Sequence, residues 1–154
     1  MSTILLVIHI GSGSLALAAG PAAMLVPKRP GLHPRLGIAY QVLTGLLCAS
    51  GAGLAVLTPH VWWLGVIAAA TWAAALAGWQ VRRIRCRAWL PLHISFMCGS
   101  YVSLTTALLV VNLGLGDPAG WIGPAVVGTP LIARRAYLAG ARPPAAQPGA
   151  GSWA

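Results

Sequence analysis

The chain has 154 residues, of which 58% are hydrophobic and only 7% are charged. Soluble domains carry about 25% charged residues, so this composition excludes an ordinary soluble domain and favours a membrane protein. Ten Lys and Arg stand against one acid, Asp117, for a formal net charge of +9. The basic residues form short clusters between apolar runs, and no nucleic-acid-binding motif is present. We therefore expect membrane lipid, and not nucleic acid, as the partner of these charges.

The apolar runs predict an all-α fold, a polytopic integral membrane bundle of four long transmembrane helices plus a short fifth. A spanning helix needs about 20 mostly apolar residues, and prolines and basic clusters divide the runs. The predicted helices cover about 3–26, 34–57, 61–81, 91–113 and 118–135.

The fifth helix is predicted to begin with Asp117 as its N-cap and Pro118 at its first position. It contains Pro124 and Pro130 and is therefore predicted to be kinked and short, so whether it spans is left open. Residues 140–154 are rich in Pro, Gly and Ala and predict a disordered cytoplasmic tail.

The distribution of positive charge predicts the orientation. If the helices alternate in direction, every basic cluster falls on one side and Asp117 on the other, which places the N-terminus outside. The first apolar run lacks the preceding positive charge that a signal peptide needs, because Lys28 and Arg29 follow it.

Each of the first four predicted helices has one histidine at or near its start. His9 and His60 are predicted to lie toward the outer face, and His33 and His93 toward the inner face. Neutral imidazole is the form that ligates iron, so two such pairs could hold two b-type haems and pass electrons across the bilayer. The alternative is that these histidines cap helices or bond carbonyls of neighbouring helices.

A polar stripe is predicted within the second and fourth helices. At helical spacing, the uncharged segment 92–111 places on one side His93, Met97, Ser100, Tyr101 and Leu104, and we expect this side to face protein. Helix 2 reads Tyr-x-x-Leu-Thr from Tyr40 and helix 4 reads the same from Tyr101, which indicates a parallel repeat of helices 1–2 and 3–4 about an axis along the membrane normal. The predicted stripe comprises Tyr40, Thr44, Met97, Ser100, Tyr101 and Thr105.

Two segments resemble a family of uncharacterised bacterial predicted membrane proteins. The first is His33-Pro-Arg35-Leu36-Gly37-x-x-Tyr40, where the family has His-Arg-x-x-Gly-x-x-Tyr. The second is His93-x-x-Phe96-Met97-x-Gly99-Ser100-Tyr101, where the family has His-x-x-Trp-Met-x-Arg-Ser-Tyr. His9 with Gly20-Pro21 is similar to its first helix. The resemblance implies a helical fold in a bacterial cytoplasmic (inner) membrane and implies no established reaction; Phe96 replaces the family's Trp and Gly99 its Arg.

The reactive groups argue against hydrolytic and phosphoryl-transfer enzymes. There is no Glu, no phosphate-binding loop, and no set of nucleophile, base and acid. Three cysteines without a Cys-x-x-Cys pair give no zinc signature. Two classes remain: a non-catalytic accessory subunit that packs in a larger membrane complex or self-associates, or a transmembrane redox component. The redox component would use His-ligated haem or metal, or would face a quinone through His93, Tyr101 and Thr105.

Overall fold

The computed structural model describes residues 2–84 and 86–141, and within these ranges the chain is helical and contains no strand. The α-helices are α1 (Ser2–Leu25), α2 (Leu32–Leu57), α3 (Trp62–Ile84), α4 (Trp89–Leu113) and α5 (Pro118–Gly140), with a 3₁₀ turn at Pro59–Val61. Helices α1 to α4 are long and apolar enough to cross a membrane. The all-helical membrane fold is therefore confirmed. The predicted tail lies outside the described residues from 142 onward.

Helices α2 and α4 begin earlier than their prolines suggested. Pro34 and Pro91 lie inside the first turns, which start at Leu32 and Trp89. The first four N–H groups of a helix have no partner within it, so a proline there removes no hydrogen bond. A proline in an apolar run thus places a helix start only to within one turn.

Helix α5 extends to Gly140 rather than to about 135 and has 23 residues. Each internal proline removes one backbone hydrogen bond, and the helix continues past both. Arg134 and Arg135 are exposed, and the helix continues for five residues beyond them. Asp117 is the N-cap, as predicted: its carboxylate accepts a hydrogen bond from Ala119 N.

Helices α1 to α4 form an antiparallel up-and-down bundle, in which α1 and α4 make the loosest contact. Helix α5 packs antiparallel on α4 along almost its whole length. Gly120 contacts Val110 near one end, and Gly140 approaches Pro91 at the other. Helix α5 therefore lies at the same depths as α4.

The alternation of helix directions collects the positive charge at one end. We call this the basic end: α1, α3 and α5 finish there, and α2 and α4 start there. All eight described Lys and Arg lie at the basic end, whereas Asp117 lies at the opposite end. The core between the ends takes one buried residue from each of α1 to α4, namely Ala16, Tyr40, Ala75 and Leu104.

Candidate functional site

Two histidines at the basic end bond a carbonyl of the preceding helix. His33, in the first turn of α2, donates from Nδ1 to the carbonyl of Ala23 on α1 over 2.9 Å. His93, near the start of α4, donates from Nδ1 to the carbonyl of Gly78 on α3 over 2.7 Å. Each bond ties the two helices of one hairpin and fixes the ring with Nε2 as its remaining polar atom.

His9 makes the equivalent bond toward the opposite end. Its Nδ1 donates to the carbonyl of Leu47 over 3.2 Å and lies 3.3 Å from Ser50 Oγ, both on α2. The ring packs against Gly51, where an added Cβ would lie 3.0 Å from it. His60 is exposed and lies in the 3₁₀ turn rather than inside the bundle. The structure therefore embeds three of the four histidines between helices.

Lys28 lies directly beside His33. Its ammonium donates hydrogen bonds to three carbonyls at the end of α1, those of Ala23, Met24 and Val26, over 2.5–3.1 Å. Ala23 O thus accepts from both Lys28 and His33. Desolvation by burial is the main reason that the pKa of Lys28 is lowered from its ordinary value.

The second hairpin also has a cation close in sequence to the carbonyl that its histidine bonds. Arg82 follows Gly78, whose carbonyl His93 bonds, by one helical turn on α3. The basic end therefore holds a histidine and a cation from each hairpin.

At the centre of the bundle, Tyr40 and Ser100 join α2 to α4. The Ser100 hydroxyl donates to Met97 O over 2.8 Å, so the Tyr40 hydroxyl donates to Ser100 Oγ, over 3.0 Å. Both residues stand seven positions after a histidine, His33 or His93. The bond between Tyr40 and Ser100 therefore joins two residues that have the same spacing from the histidine of their own helix.

Gln41 is a central residue that the sequence analysis missed. Its amide Nε2 donates to Ala75 O on α3 and lies 3.8 Å from Met97 Sδ on α4, so it links three helices. The signal was present, because Gln41 is the first amide side chain in the chain and follows Tyr40 directly.

Tyr101 bonds a carbonyl of α1 that lies four residues before Pro21. Proline has no N–H, so Pro21 leaves the carbonyl of Leu17, four residues earlier, without its helical partner. The Tyr101 hydroxyl donates to Leu17 O over 3.2 Å. The tyrosine ring lies so close to Gly20 that a Cβ there would be 2.5 Å from it. The Gly-Pro pair of α1 and the tyrosine of α4 thus form one contact.

The remaining residues of the predicted stripe behave differently from one another. Thr105 bonds carbonyls of its own helix, those of Tyr101 and Val102. Thr44 is fully buried, and its hydroxyl has no hydrogen-bond partner within the described part of the chain. Another hydroxyl pair, Thr71 and Ser103 at 2.6 Å, joins α3 to α4 and was not predicted.

The described residues offer little enclosed space. The two best-formed hollows have volumes of about 170 and 220 Å³, and neither is lined by a histidine. Among the residues that the structure covers, no three His, Cys, Asp or Glu side chains come together as a metal site.

Comparisons with family models, curated proteins and solved structures gave no match to this chain.

Proposed function

We propose that the protein is a non-catalytic accessory subunit of a larger membrane complex. The single observation that supports this is the use of its polar groups: three histidines, two tyrosines and Gln41 all form contacts between helices. Groups engaged in this way stabilise a bundle and are not directed at a substrate.

The proposal includes the orientation and the membrane. The basic end lies in the cytosol, the N-terminus lies outside, and α5 crosses beside α4. Support comes from the positive-inside rule, because every described Lys and Arg lies at one end. The bacterial inner membrane is proposed from the resemblance of the His33 and His93 segments to bacterial membrane proteins.

Two glycines with open space beside them allow a direct test of whether a partner helix packs on the bundle. A Cβ added at Gly11 on α1, or at Gly123 on α5, would meet no atom within 4 Å. We expect leucine at these positions to leave the bundle intact and to obstruct a partner helix that packs there. The protein, with its mass of 15.8 kDa, is purified from its native membrane in mild detergent, and the polypeptide mass of the particle is measured by light scattering.

We expect a particle heavier than the single chain, with a second polypeptide in fixed ratio that Gly11→Leu or Gly123→Leu releases. Gly51→Leu, which would clash with His9 inside the bundle, is the contrasting variant that should unfold the chain instead of releasing a partner. A particle mass that corresponds to one chain, and that neither Gly11→Leu nor Gly123→Leu changes, contradicts the accessory role.

A redox role is the second candidate, and one observation favours it. Histidines that ligate metals commonly donate their other N–H to a backbone carbonyl, and His33 and His93 do so. Iron bound at Nε2 would supply one-electron chemistry, while the two carbonyls would hold the rings in place. An absorption spectrum of protein from haem-replete cells decides: a Soret band lost in His33→Ala supports this role, and a colourless preparation ends it.

A further inference from the structure

Two buried oxygen atoms of α2 have no hydrogen-bond partner among the residues that the structure describes. They are Oε1 of Gln41 and Oγ1 of Thr44, which stand three positions apart in the same helix. Thr44 is fully buried. Both residues lie well inside an apolar span, where bulk water is excluded and an unbonded polar atom is costly. A pair of such atoms on one helix therefore calls for a partner that both can share.

The amide nitrogen of Gln41 fixes where its oxygen points. Nε2 donates to Ala75 O on α3 and lies 3.8 Å from Met97 Sδ on α4. Exchanging the two ends of the amide would set Oε1 against Ala75 O, which is an acceptor facing an acceptor. Oε1 therefore cannot take over the bond to α3, and it needs a donor of its own.

The hydroxyl of Thr44 differs from other hydroxyls of the bundle. Ser12 and Thr105 each donate to carbonyls of their own helix, whereas the Thr44 hydroxyl bonds no group of the described chain. It could donate directly to Gln41 Oε1, but the two atoms are not within bonding distance. The donor that Oε1 needs and the partner that Thr44 lacks must therefore be one small group between them.

The spacing and the chemistry of the two oxygens select water. Side chains three positions apart on a helix have Cβ atoms about 5–6 Å apart, and one water with two hydrogen bonds of about 2.7–2.8 Å spans a similar distance. A bare cation would find two uncharged oxygens, since the only acid of the sequence, Asp117, caps α5. An anion could not bond Oε1, which has no hydrogen to donate.

We propose that one ordered water molecule binds inside the bundle, donates to Gln41 Oε1 and bonds the hydroxyl of Thr44. Gln41 itself contacts α3 and α4, so the water supports the side chain that links three helices. Buried waters of this kind are part of a fold and are costly to remove. The proposal is independent of the accessory role.

The first test is a crystal structure of the full-length protein at a resolution that shows ordered water. We expect a density peak about 2.7–3.2 Å from both Gln41 Oε1 and Thr44 Oγ1. Thr44→Val keeps the shape of the side chain, removes the hydroxyl and should lose the peak. Thr105→Val, which removes a hydroxyl bonded to its own helix, is the matched control and should keep it.

A second test in detergent solution uses hydroxyl radicals that X-rays generate from bound water. Met97 Sδ lies next to the Gln41 amide and is readily oxidised, so its oxidation reports on the site. We expect Thr44→Val to lower the oxidation of Met97 several-fold and Thr105→Val to leave it unchanged.

The unmodified protein decides the proposal even if Thr44→Val does not fold. A map without a peak between the two oxygens, or with the Thr44 hydroxyl turned onto the carbonyl of Tyr40 in its own helix, overturns it. Oxidation of Met97 that is the same in a folded Thr44→Val variant and in the unmodified protein also overturns it.

Discussion

At the residue scale, Pro21 and Tyr101 illustrate how a membrane bundle accommodates a proline. A carbonyl freed by proline inside hydrocarbon needs a new donor, because no water is available there. Tyr101 supplies that donor from α4, and Gly20 makes room for its ring. The neighbours Gly20 and Pro21 therefore depend on Tyr101, which is far from them in sequence.

This dependence predicts coupling between two substitutions. Tyr101→Phe leaves Leu17 O without a donor and should lower the free energy of unfolding by about 0.5–1.5 kcal/mol. In a Pro21→Ala background Leu17 O regains the N–H of its own helix, so Tyr101→Phe should cost markedly less there. Unfolding of all four proteins in detergent measures the difference. Tyr137→Phe, at a residue 76% exposed, is the control, and additive effects of the two changes would refute the coupling.

At the element scale, glycines set how closely two helices approach. Gly78 of α3 faces the backbone of α4, where an added Cβ would lie 3.1 Å from Met97 N and 3.0 Å from Phe96 Cβ. Gly99 lies on α4 with no atom within 4 Å of such a Cβ. The two positions therefore separate the effect of helix packing from that of helix propensity.

We expect Gly78→Ala to destabilise the bundle by about 1–3 kcal/mol, because the backbone of α4 must move away. Gly99→Ala should be neutral or stabilise by up to about 1 kcal/mol, since alanine favours a helix over glycine. Thermal unfolding in one detergent compares the variants. Similar melting temperatures for both would show that α3 and α4 are not in close contact at Gly78.

The start of α5 gives a second prediction at this scale. Asp117→Ala removes the acceptor of the Ala119 N–H and should destabilise the first turn of α5 by about 0.5–2 kcal/mol. Asp117→Asn keeps a capping oxygen and should retain most of the stability. Hydrogen exchange at residues 119–122 measures the effect, and equal protection in Asp117→Ala and the unmodified chain would exclude a capping role.

At the scale of the whole molecule, sidedness follows from charge and from the alternation of the helices. The start of α1 and the exposed Cys86 lie at opposite ends of the bundle. An impermeant thiol reagent applied to intact cells therefore distinguishes the two orientations.

With the N-terminus outside, the unmodified protein should react at Cys86 only after lysis. Ser2→Cys combined with Cys86→Ser should react in intact cells. Cys48 is buried and Cys98 is half-buried, so neither should contribute much signal. Reaction at Cys86 before lysis would reverse the proposed topology.

The amino-acid sequence by itself determined that the helices suit a membrane, how many helices there are, and that the basic clusters lie at one end of the bundle. These properties follow from hydropathy and charge, which are summed along the chain and tolerate errors of several residues. The same tolerance explains why the starts of α2 and α4 and the ends of α3 and α5 were predicted two to five residues away from their positions in the structure.

Only the tertiary structure decided the contacts of the polar groups. A shift of one residue turns a side chain by about 100° around the helix axis, so the sequence spacing alone does not show that Tyr40 meets Ser100. The use of Nδ1 by His9, His33 and His93, and the role of Gln41, depend likewise on carbonyls of other helices. No local pattern encodes such partners, because they are set by the relative rotation and depth of packed helices.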